Sequence, residues 1–215
     1  MGLILTHIPS EVLAPIIPLD KVNPAPTQKY PIIFVERWFY RNILHYFPKK
    51  YLEKKGFAVY SLNYPMTKGT FEDSAANLKR FIEKNNLHDA ILVGISGGAT
   101  TCLEYLQFLG GWGQTQKLIS IGGSLDGSPN GKLAPFVKSL KELIPESEYM
   151  KHLHSKPIEN LDKITTITAE VDNIVPTKLG QLDGATNIVL DMVGHNLLHT
   201  IWTPTYYLVA KIAES

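Results

Sequence analysis

Ala90-Ile-Leu-Val-Gly-Ile-Ser-Gly-Gly-Ala99 is the stretch that decides the fold. Its first part, Ala90–Ile95, is an unbroken apolar run of strand length, as expected of a strand buried on both faces of a sheet. Its second part, Gly94-Ile95-Ser96-Gly97-Gly98, fits the pattern GxSxG and passes directly into a helical segment. Glycine-rich turns after strands are common, so the bare pattern also fits a tight turn with a capping serine. Its placement between a buried strand and a helix favours the chemical reading. A serine on a strained strand-to-helix turn is lifted above the sheet edge, small neighbours at Gly94 and Gly98 let the chain reverse closely, and the amide of Gly97 points to where an oxyanion would form.

Outward from this turn the chain alternates. Pro31–Val35, Phe57–Leu62, Leu118–Ile121, Ile164–Ala169 and Ile188–Leu190 read as further strands. Residues 41–55, 71–85, 99–109 and 200–213 read as helices, with Ala75, Leu78, Phe81 and Ile82 at helical spacing and Gly56 and Gly110-Gly111 as stops. Alternation of this kind predicts an α/β fold: a mostly parallel sheet of about six strands with helices on both faces. Residues 1–30, proline-rich to Asn23-Pro-Ala-Pro-Thr27, read as an arm, and residues 31–215 as one domain without repeat or linker. Within the strandless stretch Ser124–Asp162, Leu133, Phe136, Val137, Leu140, Leu143 and Ile144 share one helical face, read as core packing in preference to the wall of an acyl pocket.

Composition narrows the function classes. The 215 residues carry 21 basic and 20 acidic side chains, a net charge of +1 that leaves no electrostatic footprint for nucleic acid or an anionic membrane surface. The one cysteine, Cys102, excludes an internal disulfide and reads as a small buried residue; with no convincing signal peptide and no run long enough to span a bilayer, a soluble cytoplasmic protein is expected.

A serine hydroxyl needs a base and an orienting acid to become a nucleophile. After a GxSxG turn these follow in chain order, acid then histidine, each past a later strand. Asp172 lies just beyond the strand Ile164–Ala169, whereas Glu170 is still at the strand end and Asp162 precedes it, at the wrong edge of the sheet. His195, in Val193-Gly194-His195-Asn196, follows the last strand, where the base belongs. A lone histidine would be read as an ordinary core or surface residue; the order of all three reverses that.

With these segments in place the chain resembles the small bacterial triacylglycerol lipases of the α/β-hydrolase superfamily, over roughly residues 30–213. Pro31-Ile-Ile-Phe-Val35 is similar to the strand before the family's oxyanion loop, Leu92-Val-Gly-Ile-Ser-Gly-Gly98 to its nucleophile elbow, Ile119-Ser-Ile-Gly-Gly-Ser-Leu-Asp-Gly-Ser-Pro129 to the strand and Gly-Ser loop after the elbow helix, and Leu182–His195 to the run into the catalytic histidine. The resemblance implies triad roles for Ser96, Asp172 and His195, one oxyanion amide from Gly97 and, by position, a second from Trp38. It implies a serine esterase or lipase that forms an acyl-enzyme on carboxylic esters, lipid esters among them, and needs no cofactor. A thioesterase or acyltransferase would use the same triad.

The chain departs from the family in one place. Where the family has His-Gly after the first strand, it reads Glu36-Arg37. Arginine lacks glycine's freedom at positive φ, and a carboxylate would oppose an oxyanion unless Arg37 or Arg41 neutralises it. The pair therefore also admits a non-catalytic binding protein on this fold, or an Arg37 that supports the oxyanion as a cation. His195 and His199 are spaced like zinc ligands on a helix, but Asn196 stands where a metalloprotease needs glutamate; with His152 and His154 isolated as well, no metal site is expected. Gly110-Gly-Trp-Gly113 completes no nucleotide-binding pattern, and Trp38-Phe39-Tyr40 reads either as packing beneath the loop or as an acyl-pocket wall.

Overall fold

The computed structural model describes residues 29–38, 46–65, 69–133, 136–199 and 204–215. Residues 1–28 of the expected arm, residues 41–45 of the first expected helix, residues 200–203 of the last one, and Phe39, Tyr40 and Arg41 lie outside the described residues. In chain order the elements are β1 (Ile32–Trp38), α1 (Tyr46–Lys54), β2 (Val59–Pro65), α2 (Phe71–Lys84), β3 (Ala90–Ser96), α3 (Gly97–Phe108), β4 (Thr115–Ile121), α4 (Lys138–Glu142), α5 (Glu148–Leu153), β5 (Ile164–Val171), β6 (Thr186–Val193), α6 (His195–Leu198) and α7 (Thr205–Glu214).

The six strands form one sheet in the order β2-β1-β3-β4-β5-β6, and every pairing is parallel. Side chains alternate between two apolar layers, as pleating demands. Ile33, Val35 and Leu92 face Phe71, Ala75 and Leu78 of α2 and Cys102, Leu103 and Leu106 of α3. Ile32, Phe34, Ile91 and Val93 face Leu52 of α1 and Val209, Ala210 and Ala213 of α7. β3 is buried along its whole length, as its unbroken apolar run predicts. This is the expected α/β-hydrolase arrangement of a parallel sheet between helices.

Several strands outrun their apolar segments. β1 continues through Glu36, Arg37 and Trp38 because each pairs with β2, and Arg37 lies in register with Ser96 of β3. β2 runs to Pro65 rather than to residue 62, and β4 and β6 extend the expected 118–121 and 188–190 in the same way. Ladder pairing sustains these polar ends where hydropathy alone would stop. One expectation is corrected: the described residues between 133 and 144 do not form one amphipathic helix. Among the described residues of this stretch, α-helix is confined to Lys138–Glu142, and Phe136 is 86% exposed while Leu143 is buried.

Candidate active site

The chain order of the strands already marks a place. From β1 the chain moves outward to β2, then crosses back to β3 and continues the other way. The carboxyl ends of β1 and β3 therefore flank a switch in strand order, where open α/β sheets bind ligands.

Ser96 ends β3 at this point with φ 54 and ψ −125, a conformation that non-glycine residues rarely adopt. Its neighbours explain why the turn closes. A Cβ on Gly98 would lie 1.9 Å from the carbonyl oxygen of Val35, and one on Gly94 would lie 2.4 Å from the Cα of Ala99. Only bare backbone lets β1, β3 and α3 approach so closely. Gly97 is the first residue of α3, among amides that have no partner within the helix.

Two loops converge on the serine turn. His195 Nε2 lies 3.0 Å from Ser96 Oγ, and His195 Nδ1 lies 2.7 Å from Asp172 Oδ2. The other carboxylate oxygen, Oδ1, accepts from the backbone N–H groups of Ile174 and Val175, each at 2.8 Å, so the acid is fixed by its own turn. The His195 and Asp172 side chains are almost fully shielded from solvent, at 0% and 1% exposed. A carboxylate at Nδ1 favours the imidazole tautomer protonated there, leaving Nε2 to accept from the serine hydroxyl. Gly122, at φ 54, gives the ring its room: a Cβ there would lie 3.0 Å from His195 Cε1.

The rival carboxylates stand elsewhere. Glu170 is exposed within β5, and Asp162 lies in a single 3-10 turn before that strand. Glu36 and Arg37, the departure from the lipase pattern, are both buried and engaged in other contacts. The Glu36 carboxylate lies 2.9 Å from Lys49 Nζ on α1, so a lysine supplies neutralising charge there. The Arg37 guanidinium donates to the carbonyls of Thr70 (3.0 Å) and Gly69 (2.9 Å) and to Ser74 Oγ, and lies 4.4 Å from the Phe71 ring centre. Its positive charge is thus turned onto the start of α2. Trp38 closes β1 in register with Pro65, and its side chain lies outside the described residues.

His199 packs edge-on against His195, with ring centres 5.4 Å apart. His154 Nε2 meets Asp126 Oδ1 at 2.9 Å, and this partner raises its pKa above the usual histidine range. His152 stacks on Phe108 and lies 3.5 Å from Glu104. Among the described residues no group of three or more His, Cys, Asp or Glu is placed to hold a metal ion. Burial of Cys102 drives its thiol pKa far up, away from reactive thiolate. No helix among the described residues is long and apolar enough to cross a membrane.

Sequence reasoning passed over Asn173, whose Oδ1 accepts from the backbone N–H of His195 at 3.0 Å. It also missed Asn130 and Ser128, which donate to the acid loop. Asn173 stands beside Asp172 in the sequence, but its target lies 22 residues on, so only the folded chain reveals the contact.

No protein-family model matches the sequence, and no curated protein matches it. Among solved structures, the mature lipase of Bacillus licheniformis is similar with a TM-score of 0.65 at 17% identity, over 89% of this chain and 96% of that one. An esterase of Exiguobacterium antarcticum gives 0.65 at 14% identity, over 88% and 94%. A carboxylesterase of Bacillus subtilis gives 0.56 at 15% identity, over 87% and 84%. At such identities the likeness is one of fold. With its six parallel strands and the glycine-bound serine turn at the switch point, the chain has the α/β-hydrolase fold, and it resembles bacterial lipases and esterases in that fold.

Proposed function

We propose that the protein is a serine hydrolase that cleaves carboxylic esters through a covalent acyl-enzyme. The observation that carries this reading is the unbroken line from Asp172 Oδ2 through His195 to Ser96 Oγ, at 2.7 and 3.0 Å, drawn from the serine turn and two separate loops. A nucleophile, a base and an orienter within hydrogen-bond reach are the arrangement that activates a serine. The fold neighbours named as lipases and esterases support the choice of ester among acyl substrates.

In this mechanism Ser96 Oγ attacks the acyl carbonyl carbon while its proton passes to His195 Nε2. Asp172 holds the imidazole's tautomer and stabilises its charged form. The amides of Gly97 and Trp38 receive the oxyanion. Collapse expels the alcohol, which takes the proton from Nε2, and water then attacks the acyl-enzyme by the same relay. The rival reading, a binding protein, drew on Glu36 and Arg37; both have partners in the scaffold and lend it no support.

Labelling with a fluorophosphonate tests the proposal without a known substrate. The wild type should be modified at Ser96, and Ser96→Ala should take no label. Folded wild-type protein that stays unlabelled would remove the hydrolase reading, and label retained by Ser96→Ala would move it to another residue.

A further inference from the structure

Val171 at the end of β5 and the two residues after it grip the base loop. The carbonyl of Val171 accepts from Gly194 N–H at 2.8 Å, Asp172 Oδ2 meets His195 Nδ1 at 2.7 Å, and Asn173 Oδ1 accepts from His195 N–H at 3.0 Å. The third contact answers a local need. His195 is the first residue of α6, where backbone N–H groups have no partner within the helix. The residue before it is Gly194, which has φ 107 and no side chain to cap with. Asn173 supplies the missing acceptor from another loop.

Asn173 is itself anchored. Asn130 Nδ2 donates to the carbonyls of Asn173 (3.1 Å) and Ile174 (3.0 Å), and Ser128 Oγ donates to Ile174 (2.7 Å). Both donors belong to the loop after β4, which also reaches the nucleophile turn: Thr100 Oγ1 on α3 donates to the Ser124 carbonyl at 2.8 Å. The base is thereby tied through Asn173 to the loop that contacts the nucleophile's own helix.

We propose that Asn173 is a positioning residue for His195, an inference that rests on the hydrolase reading above. Its carboxamide oxygen fixes the backbone on which the imidazole pivots. Asp172 holds one ring nitrogen, whereas Asn173 holds the main chain from which the ring extends. Reaction geometry tolerates little such movement, since displacements of about 1 Å can cost on the order of a hundredfold in rate. One neutral hydrogen bond at a partly exposed side chain should account for about tenfold of this.

The test compares fluorophosphonate labelling rates against pH for wild type, Asn173→Ala, Asn173→Ser and Asn173→Asp, each shown folded by circular dichroism. Alanine has no acceptor and serine is too short to reach, so both should label about tenfold more slowly. Aspartate keeps the acceptor, and should restore the maximal rate. Its added charge beside the imidazole favours the protonated ring, so the acid limb of its pH profile should move upward. A purely structural role would give no rescue of the labelling rate by aspartate. Alanine and serine variants that label at the wild-type rate, or an aspartate variant as slow as alanine with its acid limb in place, would overturn the role of Asn173 alone. A folded wild type that takes no label overturns the hydrolase reading and this inference with it.

Discussion

At the scale of single residues, the serine turn stores strain that its neighbours make unavoidable. Ser96 is held at φ 54, ψ −125 between Gly94 and Gly98, neither of which has space for a Cβ. Strained backbone of this kind costs about 1–3 kcal/mol and is kept where it serves a site. The sign of a substitution follows. Alanine normally stabilises over glycine by about 0.5–1 kcal/mol, because glycine loses more freedom on folding. At position 96 the order should reverse, since both variants lose the hydroxyl but only glycine relieves the strain. Ser96→Gly is expected to be about 1 kcal/mol more stable than Ser96→Ala, or about 2–4 °C in Tm for a chain of this size. Thermal unfolding of the two variants side by side checks it, and an alanine variant that melts at or above the glycine variant refutes stored strain. The sequence made this turn legible because glycine spacing records steric need directly. It did not make Asn173 or Gly122 legible, because their partner is a residue brought near only by folding.

At the scale of elements, apolar runs located every strand but not its polar end. Glu36 and Arg37 look like loop residues by hydropathy, yet ladder pairing with β2 and β3 carries them into the sheet. The most consequential difference is Arg37. Read alone, an arginine near a nucleophile suggests a cation waiting for an anion; in place, it is 1% exposed and binds the carbonyls of Gly69 and Thr70 at the start of α2. Thr70 also closes a capping box with Asp73, so β1 and the α2 cap form one joint. Arg37→Met keeps the apolar stem and removes the guanidinium bonds. Hydrogen bonds to charged groups contribute about 1.5–3 kcal/mol, and part of that is returned because the variant has no charge to desolvate. A loss of about 2 kcal/mol is expected, read as a lower urea midpoint at constant slope. An unchanged midpoint would show that this joint contributes little to stability.

At the scale of the molecule, the sheet was legible from the alternation of segments, whereas the packing of residues 124–162 was not. Proline and short helical turns there obscure the apolar period, and the consequence is an electrostatic layer invisible to sequence. Glu104 of α3 is buried against α5, bonded by Tyr149 and beside His152, and burial above all raises its pKa. Glu142 of α4, accepting from the Phe71 amide, is raised for the same first reason. A buried acid with a raised folded pKa binds more protons in the native state than in the unfolded one, between the unfolded value of about 4.3 and its own. Stability must therefore fall as pH rises through that window. His154, raised by Asp126, adds stability that is complete below its unfolded value of about 6.5 and is lost as pH rises through its folded value, so its contribution has the same sign. Asp73, lowered by the backbone and side chain of Thr70, acts oppositely: its contribution is present above the unfolded value and is lost as pH falls through the folded one. The melting temperature should accordingly be higher near pH 5 than near pH 8, and Glu104→Gln should flatten that slope by holding one buried group neutral throughout. Calorimetric scans of both proteins from pH 4.5 to pH 9 provide the check. A wild type that grows more stable from pH 5 to pH 8, or a glutamine variant with the wild-type slope, would mean that the buried carboxylates between α3, α4 and α5 do not govern the molecule's response to pH.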